Sequence, residues 1–509
     1  MRNVIIIAAV ILAVSMACDA AARGRRRFPV SPMIPADRVG DSSTPGTGNC
    51  TQLFFHQRID HFNFEPAQQL THYEQRYYVC RQEKWNPNQP IFFYTGNECN
   101  VDLFVNMSGL MWENAEQFGA LLIFAEHRYF GKSLPFPGED MPPVPKINFL
   151  QTDQALADYA TLINWFKVTH NSTSSPVIGF GGSYGGMLCS WLRIKYPSAL
   201  DGCIAGSAPI VNFEEMIPAF NFDSFAQTET LDASAAGGAT DFCKANIRQA
   251  WNDMESLGQT QSGLALISEQ FKLCTPVQSL DDVYNLMGYA ENSFGNMAMS
   301  SYPYPSTYLL LGGKGILPAY PMRVACDFLN TNLTTPAERL AGLRQAIGVY
   351  YNNTGDVMCI NITSTVNYAT EVVDYLWGYL SCTTMFMPAG QNGVTDMFYN
   401  APWNTTQQIE SCNQQFPGVL TQPDWVQINY GGYGVASWGS NIVFSNGALD
   451  PWHGGGILSA TAPAVETVLI PDVGHHIDLM FSNPKDTGAI RAARAIEVEN
   501  IAKWIANKK

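Results

Sequence analysis

The stretch GFGGSYGGMLCSWL, Gly179 to Leu192, decides how this chain is read. A serine stands between glycines directly after the apolar run SPVIGF, in the pattern Gly181-x-Ser183-x-Gly185. On a strand followed by a sharp turn and a helix, that pattern lifts the serine hydroxyl out of the backbone, and small neighbours let the turn close. With 42 glycines in 509 residues one match can arise by chance, so the partners elsewhere in the chain must decide. A serine hydroxyl is a weak nucleophile: it needs a base within hydrogen-bond reach and an acid that orients the base.

Outward from Ser183, short apolar runs end in glycine-rich turns: PIFFYTGNE (90–98), GALLIFAEHRYFG (119–131), DGCIAGSAP (201–209) and SNIVFSNGALDPW (440–452). Such runs, apolar without alternation, suit strands buried on both faces of a parallel sheet. TDQALADYATLINWFKVTH (152–170) has helical spacing, with Asp153 and Asp158 near its start. Strands alternating with helices imply a doubly wound α/β sheet. Three histidines follow Ser183: His453, His475 and His476. AVETVLIPDVGHHIDLMF (464–481) puts His475 past a strand end, and Asp450 follows another strand 25 residues earlier. Catalytic groups of open α/β sheets gather at that carboxyl edge. The order Ser, Asp, His is that of the α/β-hydrolase fold, the fold class expected here. Two N–H groups must face the developing oxyanion. Tyr184 supplies one, and Gly96 or Asn97 in YTGNE the other; a helix-capping role for Asn97 and Glu98 is the competing reading.

The first residues, with Arg2, an apolar core from Val4 to Ala17 and small residues up to Ala22, read as a signal peptide over 1–22. Residues 23–49, basic and then rich in Pro, Gly, Ser and Thr, read as a disordered leader or pro-segment. Residues 50–209 and 356–509 are expected to form the two parts of the α/β-hydrolase domain. Residues 210–355, rich in helical pattern, are expected to form a helical lid insertion stapled by disulfides, with its C-terminal boundary open. Twelve cysteines and sequons at Asn49, Asn106, Asn171, Asn332, Asn352, Asn361 and Asn404 fit the secretory pathway, with a lysosomal or extracellular destination. Without Cys18 the cysteine count is odd, so one thiol stays free or pairs between chains. A net charge of −15 argues against a nucleic-acid partner. No membrane span is expected, and the absence of C-x-x-C and H-E-x-x-H leaves no cofactor or metal to expect.

GGSYGGML, AEHRYFGKS, YTGNE, SNGALDPWHGGG and GHHIDL together resemble serine peptidase family S28, the family of lysosomal Pro-X carboxypeptidase and dipeptidyl-peptidase II. The similarity runs from about residue 51 to the C-terminus and takes in YPYPSTYL and LPAYPMRVAC. It implies Ser183 as nucleophile, Asp450 as orienting acid and His475 as base, with His476 a structural neighbour. It also implies a helical lid over the site, exopeptidase cleavage of short peptides after proline through an acyl-enzyme, and Met187, Met387 and Trp452 as walls of an apolar proline pocket. Whether the enzyme acts as carboxypeptidase or dipeptidyl peptidase is left open, as is a homodimer. A lipase or esterase of the same fold, or a catalytically inactive hydrolase-like binding protein, is the alternative.

The chain departs from the family pattern at several places. Cys99 follows YTGNE where glycine is common and is expected to perturb the oxyanion loop or to pair with Cys80 or Cys50. YLSCTT replaces YQACTE, and Met480 stands where carboxypeptidase-like members carry arginine. Ala219 and Gly390 replace two cysteines that the carboxypeptidase pairs. The resemblance then implies the pairs Cys243–Cys326, Cys274–Cys359 and Cys382–Cys412. Cys189 and Cys203, placed in the core by pattern, are expected as free thiols.

Overall fold

The computed structural model describes residues 44–64, 71–310, 315–362 and 368–508; the expected signal peptide, Cys18 and most of the leader lie outside the described residues. Eight strands form one sheet: β1 (Cys50–Arg58), β2 (His72–Cys80), β3 (Ile91–Thr95), β4 (Leu121–Ala125), β5 (Val177–Gly182), β6 (Gly202–Gly206), β7 (Ile442–Gly447) and β8 (Val465–Ile470). Their spatial order is β1-β2-β4-β3-β5-β6-β7-β8. β1 and β2 pair antiparallel, β2 runs antiparallel to β4, and the other pairings are parallel. Every residue of β3 to β7 is buried, the signature of strands covered on both faces. The amphipathic pattern at 152–170 forms the helix Thr152–Thr169, and the turn after β5 leads into the helix Tyr184–Lys195 against β5 and β6. The C-terminal helix Gly488–Asn507 packs over β6, β7 and β8, with Trp504 filling the space above Gly202.

Between β6 and β7 the chain leaves the sheet. Helices Ser224–Asp232, Asp241–Leu257, Gln261–Phe271, Leu280–Met299 and Pro336–Tyr351 build a second core around Trp251, Met287, Phe294 and Tyr350. Ser279 with Asp282, and Thr335 with Glu338, cap two of these helices reciprocally, so their starts are written locally in the sequence. The lid is stapled by Cys243–Cys326 and Cys274–Cys359. Part of the span after 355 belongs elsewhere: helices Tyr368–Cys382 and Thr405–Gln415, joined by Cys382–Cys412, pack on the sheet's core, whereas Met397 and Phe398 return to the lid core.

Two cysteine expectations are corrected. Cys189 and Cys203 form a disulfide, with Cα atoms 6.0 Å apart, because the elbow helix lies directly on β6. A buried apolar pattern places both in the core and is blind to which core residues face each other. Cys50 pairs with Cys80, its direct partner in the β1–β2 register, so Cys99 does not pair with either. Cys99 is buried outside the five bridges, its thiol 3.5 Å from the Asn100 carbonyl.

Candidate active site

Ser183 follows β5 with φ 57° and ψ −128°, a left-handed conformation that a non-glycine residue adopts only when its surroundings enforce it. The enforcement is local. A side chain at Gly181 would meet the Gly185 carbonyl at 2.1 Å, so the strand and helix approach too closely for any other residue. The Ser183 N–H donates to the Gly206 carbonyl at 2.8 Å, which ties the elbow to the end of β6. Ser183 itself is half-buried, the one incompletely covered residue in the run from Val177 to Leu192.

Asp450 lies three residues past β7 and His475 five past β8, both at the carboxyl edge where β5 ends. His475 Nδ1 and Asp450 Oδ2 are 2.8 Å apart, with both side chains buried. The other Asp450 oxygen accepts the Trp452 N–H at 3.1 Å, so the acid is fixed at two points. The pairing directs the second imidazole nitrogen, Nε2, away from the acid and leaves it available as a proton acceptor. The loop lies close to the elbow: the His476 ring comes within 3.0 Å of a Cβ built on Gly182, and the His476 N–H donates to Ser207 Oγ at 2.8 Å.

His476 is a different kind of histidine. Its φ is 31°, its ring lies tilted against that of His475 with centroids 4.4 Å apart, and its Nε2 is 3.4 Å from the Tyr308 hydroxyl. Burial, reinforced by His475, pushes its pKa well below the usual histidine value, which keeps the ring neutral. Met480 is buried too, and it and His476 share the wall of a small cavity with Tyr94 and Tyr308.

Of the expected oxyanion donors, Gly96 is corrected: its N–H donates to the Ala125 carbonyl at 3.1 Å, as a continuation of the β3–β4 pairing. Asn97 is buried, and its side-chain Nδ2 donates to the Gly182 carbonyl at 3.1 Å, holding its loop against the elbow. Tyr184 opens the elbow helix, where backbone N–H groups have no helical acceptor. Its ring is locked by His127, whose Nε2 is 3.1 Å from the Tyr184 hydroxyl, and by Trp377.

Met187, Met387 and Trp452 are all buried in the same apolar core. Trp452 packs edge-on against Phe225 of the lid at 4.9 Å and directs its Nε1–H to Met299 Sδ at 3.3 Å. Sequence reasoning missed Phe225 and Met299, whose only signal was their place in helical patterns. Of the sequons, Asn106 is buried and its Oδ1 accepts the Thr47 N–H at 2.9 Å, so a glycan there would require this contact to open. Asn49, Asn171, Asn332, Asn361 and Asn404 are exposed and Asn352 is half-buried.

A serine at a strained strand-to-helix elbow and a buried Asp–His pair, all at the carboxyl edge of a mostly parallel sheet, are the arrangement of the α/β-hydrolase fold. The family model described as Serine carboxypeptidase S28 matches residues 57–497, and the chain belongs to that family. It is a serine-type exopeptidase, and its substrates are peptides. The chain is 39% identical to Lysosomal Pro-X carboxypeptidase of Pongo abelii over 90% of this chain and 88% of that protein. The figures for the Homo sapiens protein of the same name are also 39%, 90% and 88%. Thymus-specific serine protease of Homo sapiens is 26% identical over 92% of this chain and 90% of that protein. No described helix is long and apolar enough to cross a membrane.

Proposed function

We propose that this enzyme cleaves short peptides after proline, with Ser183 as nucleophile, His475 as general base and Asp450 as the orienting acid. His475 Nε2 takes the Ser183 proton as Oγ attacks the prolyl carbonyl. The tetrahedral oxyanion is held by the N–H groups of Tyr184 and Asn97, and His475 returns the proton to the leaving amine. Water, deprotonated by His475, then hydrolyses the prolyl ester. The observation that carries this reading is the 2.8 Å contact between His475 and Asp450 beside the elbow that presents Ser183.

Met187, Met387 and Trp452 form the proline pocket: proline is compact and apolar with a fixed φ, and thioether and indole walls suit it. The similarity to Lysosomal Pro-X carboxypeptidases supports release of a residue C-terminal to proline, and it supports a lysosomal or secreted setting. Five disulfides suit that oxidising route.

Side-by-side assay of a peptide ending in Pro-Xaa and an N-terminal Xaa-Pro reporter tests this. The proposal predicts turnover of the first that Ser183→Ala abolishes. Turnover of the Xaa-Pro reporter alone would reassign the enzyme as a dipeptidyl peptidase, and activity retained in Ser183→Ala would sink the mechanism.

A further inference from the structure

The loop that carries His475 is held from the lid as well as from the sheet domain. Beyond Ile470 the chain has left strand pairing, and two of its N–H groups reach across to the end of the lid helix Leu280–Met299: Gly474 donates to the Ser301 carbonyl and His475 to the Met299 carbonyl, each at 2.8 Å. The His475 carbonyl accepts the Tyr302 hydroxyl at 3.0 Å. Both main-chain polar groups of the proposed base are therefore engaged by two lid residues, Met299 and Tyr302. Tyr302 is fully buried, and its own carbonyl accepts the Tyr320 N–H at 2.9 Å, so the phenol is anchored from both ends. The approach is too close for a side chain at Gly474, where a Cβ would lie 2.2 Å from the Met299 carbonyl. The same segment reaches the acid's turn, since Met299 Sδ accepts from Trp452, two residues after Asp450.

We infer that Tyr302 is a positioning residue for the His475 base, acting through the backbone of His475, and that the lid segment Met299–Tyr302 aligns the acid and base turns with Ser183. The inference rests on the reading of His475 as base given above. An imidazole's direction follows from the backbone that bears it, and small displacements of a base from its target are costly in rate. The hydroxyl is buried and donates to the His475 carbonyl, so its removal should act on kcat and not on substrate affinity.

The test compares the full-length enzyme with Tyr302→Phe, using the Pro-Xaa peptide, a fluorophosphonate probe and the low-field proton resonance of the His475–Asp450 hydrogen bond. One buried hydrogen bond sets the scale: kcat and the rate of Ser183 phosphonylation should each fall about tenfold, with KM held within about twofold. The low-field resonance should shift or broaden. Unchanged kcat and phosphonylation, or a change confined to KM, overturns the inference. Should Tyr302→Phe not fold, Gly474→Ala presses on the same contact from the other side; it should show the same split, and wild-type kcat in that variant overturns the inference equally. Absence of phosphonylation in the wild-type enzyme would instead overturn the proposed function, which keeps the two failures apart.

Discussion

At the scale of single residues, the site separates two adjacent histidines by environment. His475 has a buried carboxylate on Nδ1, whereas His476 faces Tyr308 and Met480 and is held neutral by burial. Asp450→Asn keeps the shape of the pair and reverses the hydrogen-bond preference, which favours the wrong imidazole tautomer. From the corresponding change in serine proteases, kcat should fall about 10⁴-fold with little loss of substrate affinity, as steady-state kinetics would show. His476→Gln should cost far less; a loss equal to that of His475→Gln would reverse the assignment. The placement of Ser183, Asp450 and His475 past strand ends was legible because each follows an apolar run. The occupied Gly96 N–H was not, since it depends on where the β3–β4 pairing stops.

At the scale of elements, the lid has its own core and its own staples. Cys243–Cys326 closes a loop of 83 residues within the lid. Its removal in Cys243→Ala/Cys326→Ala should lower stability by about 2–4 kcal/mol, read as a shift in denaturant midpoint. The shift should be accompanied by slower turnover, because the lid segment Met299–Tyr302 holds the His475 loop. Strands β3 to β8 were readable as apolar runs. The β1–β2 hairpin was not: β2 buries Gln75 and Arg76, and Arg76 is made tolerable by Glu126 and Asp102, partners that no local pattern announces. The helices after residue 355 escaped for a related reason. The span divides between two cores, its helices packing on the sheet's core and the segment at Met397 and Phe398 on the lid's, so its apolar positions answer to two different surfaces.

At the scale of the whole molecule, buried titratable groups set a pH window for stability. Burial first, and then the neighbouring Asp478 carboxylate, pushes Glu497 well above the usual carboxyl range; Asp232 is raised in the same direction, by burial and then Glu229. A raised carboxyl binds its proton more tightly in the folded protein. That contribution is complete below the unfolded pKa, about 4.3 for a glutamate and about 3.9 for an aspartate, and is lost as pH rises toward the folded value. His476, and His127 at about 4, are lowered by burial, so their contribution is complete above about 6.5 and is lost as pH falls toward the folded values. The melting temperature should therefore decline on the alkaline side through the carboxyls and on the acid side through the histidines. Glu497→Gln should flatten the alkaline decline alone, and a parallel shift of the whole curve would refute that assignment.

The most direct test of the central claim is phosphonylation of the intact enzyme by a fluorophosphonate, with the modified residue located by peptide mass spectrometry. The site described here predicts a single adduct on Ser183, slowed strongly in His475→Ala and absent from Ser183→Ala. An adduct on another residue, or none on a folded enzyme that still cleaves its peptide, would contradict it.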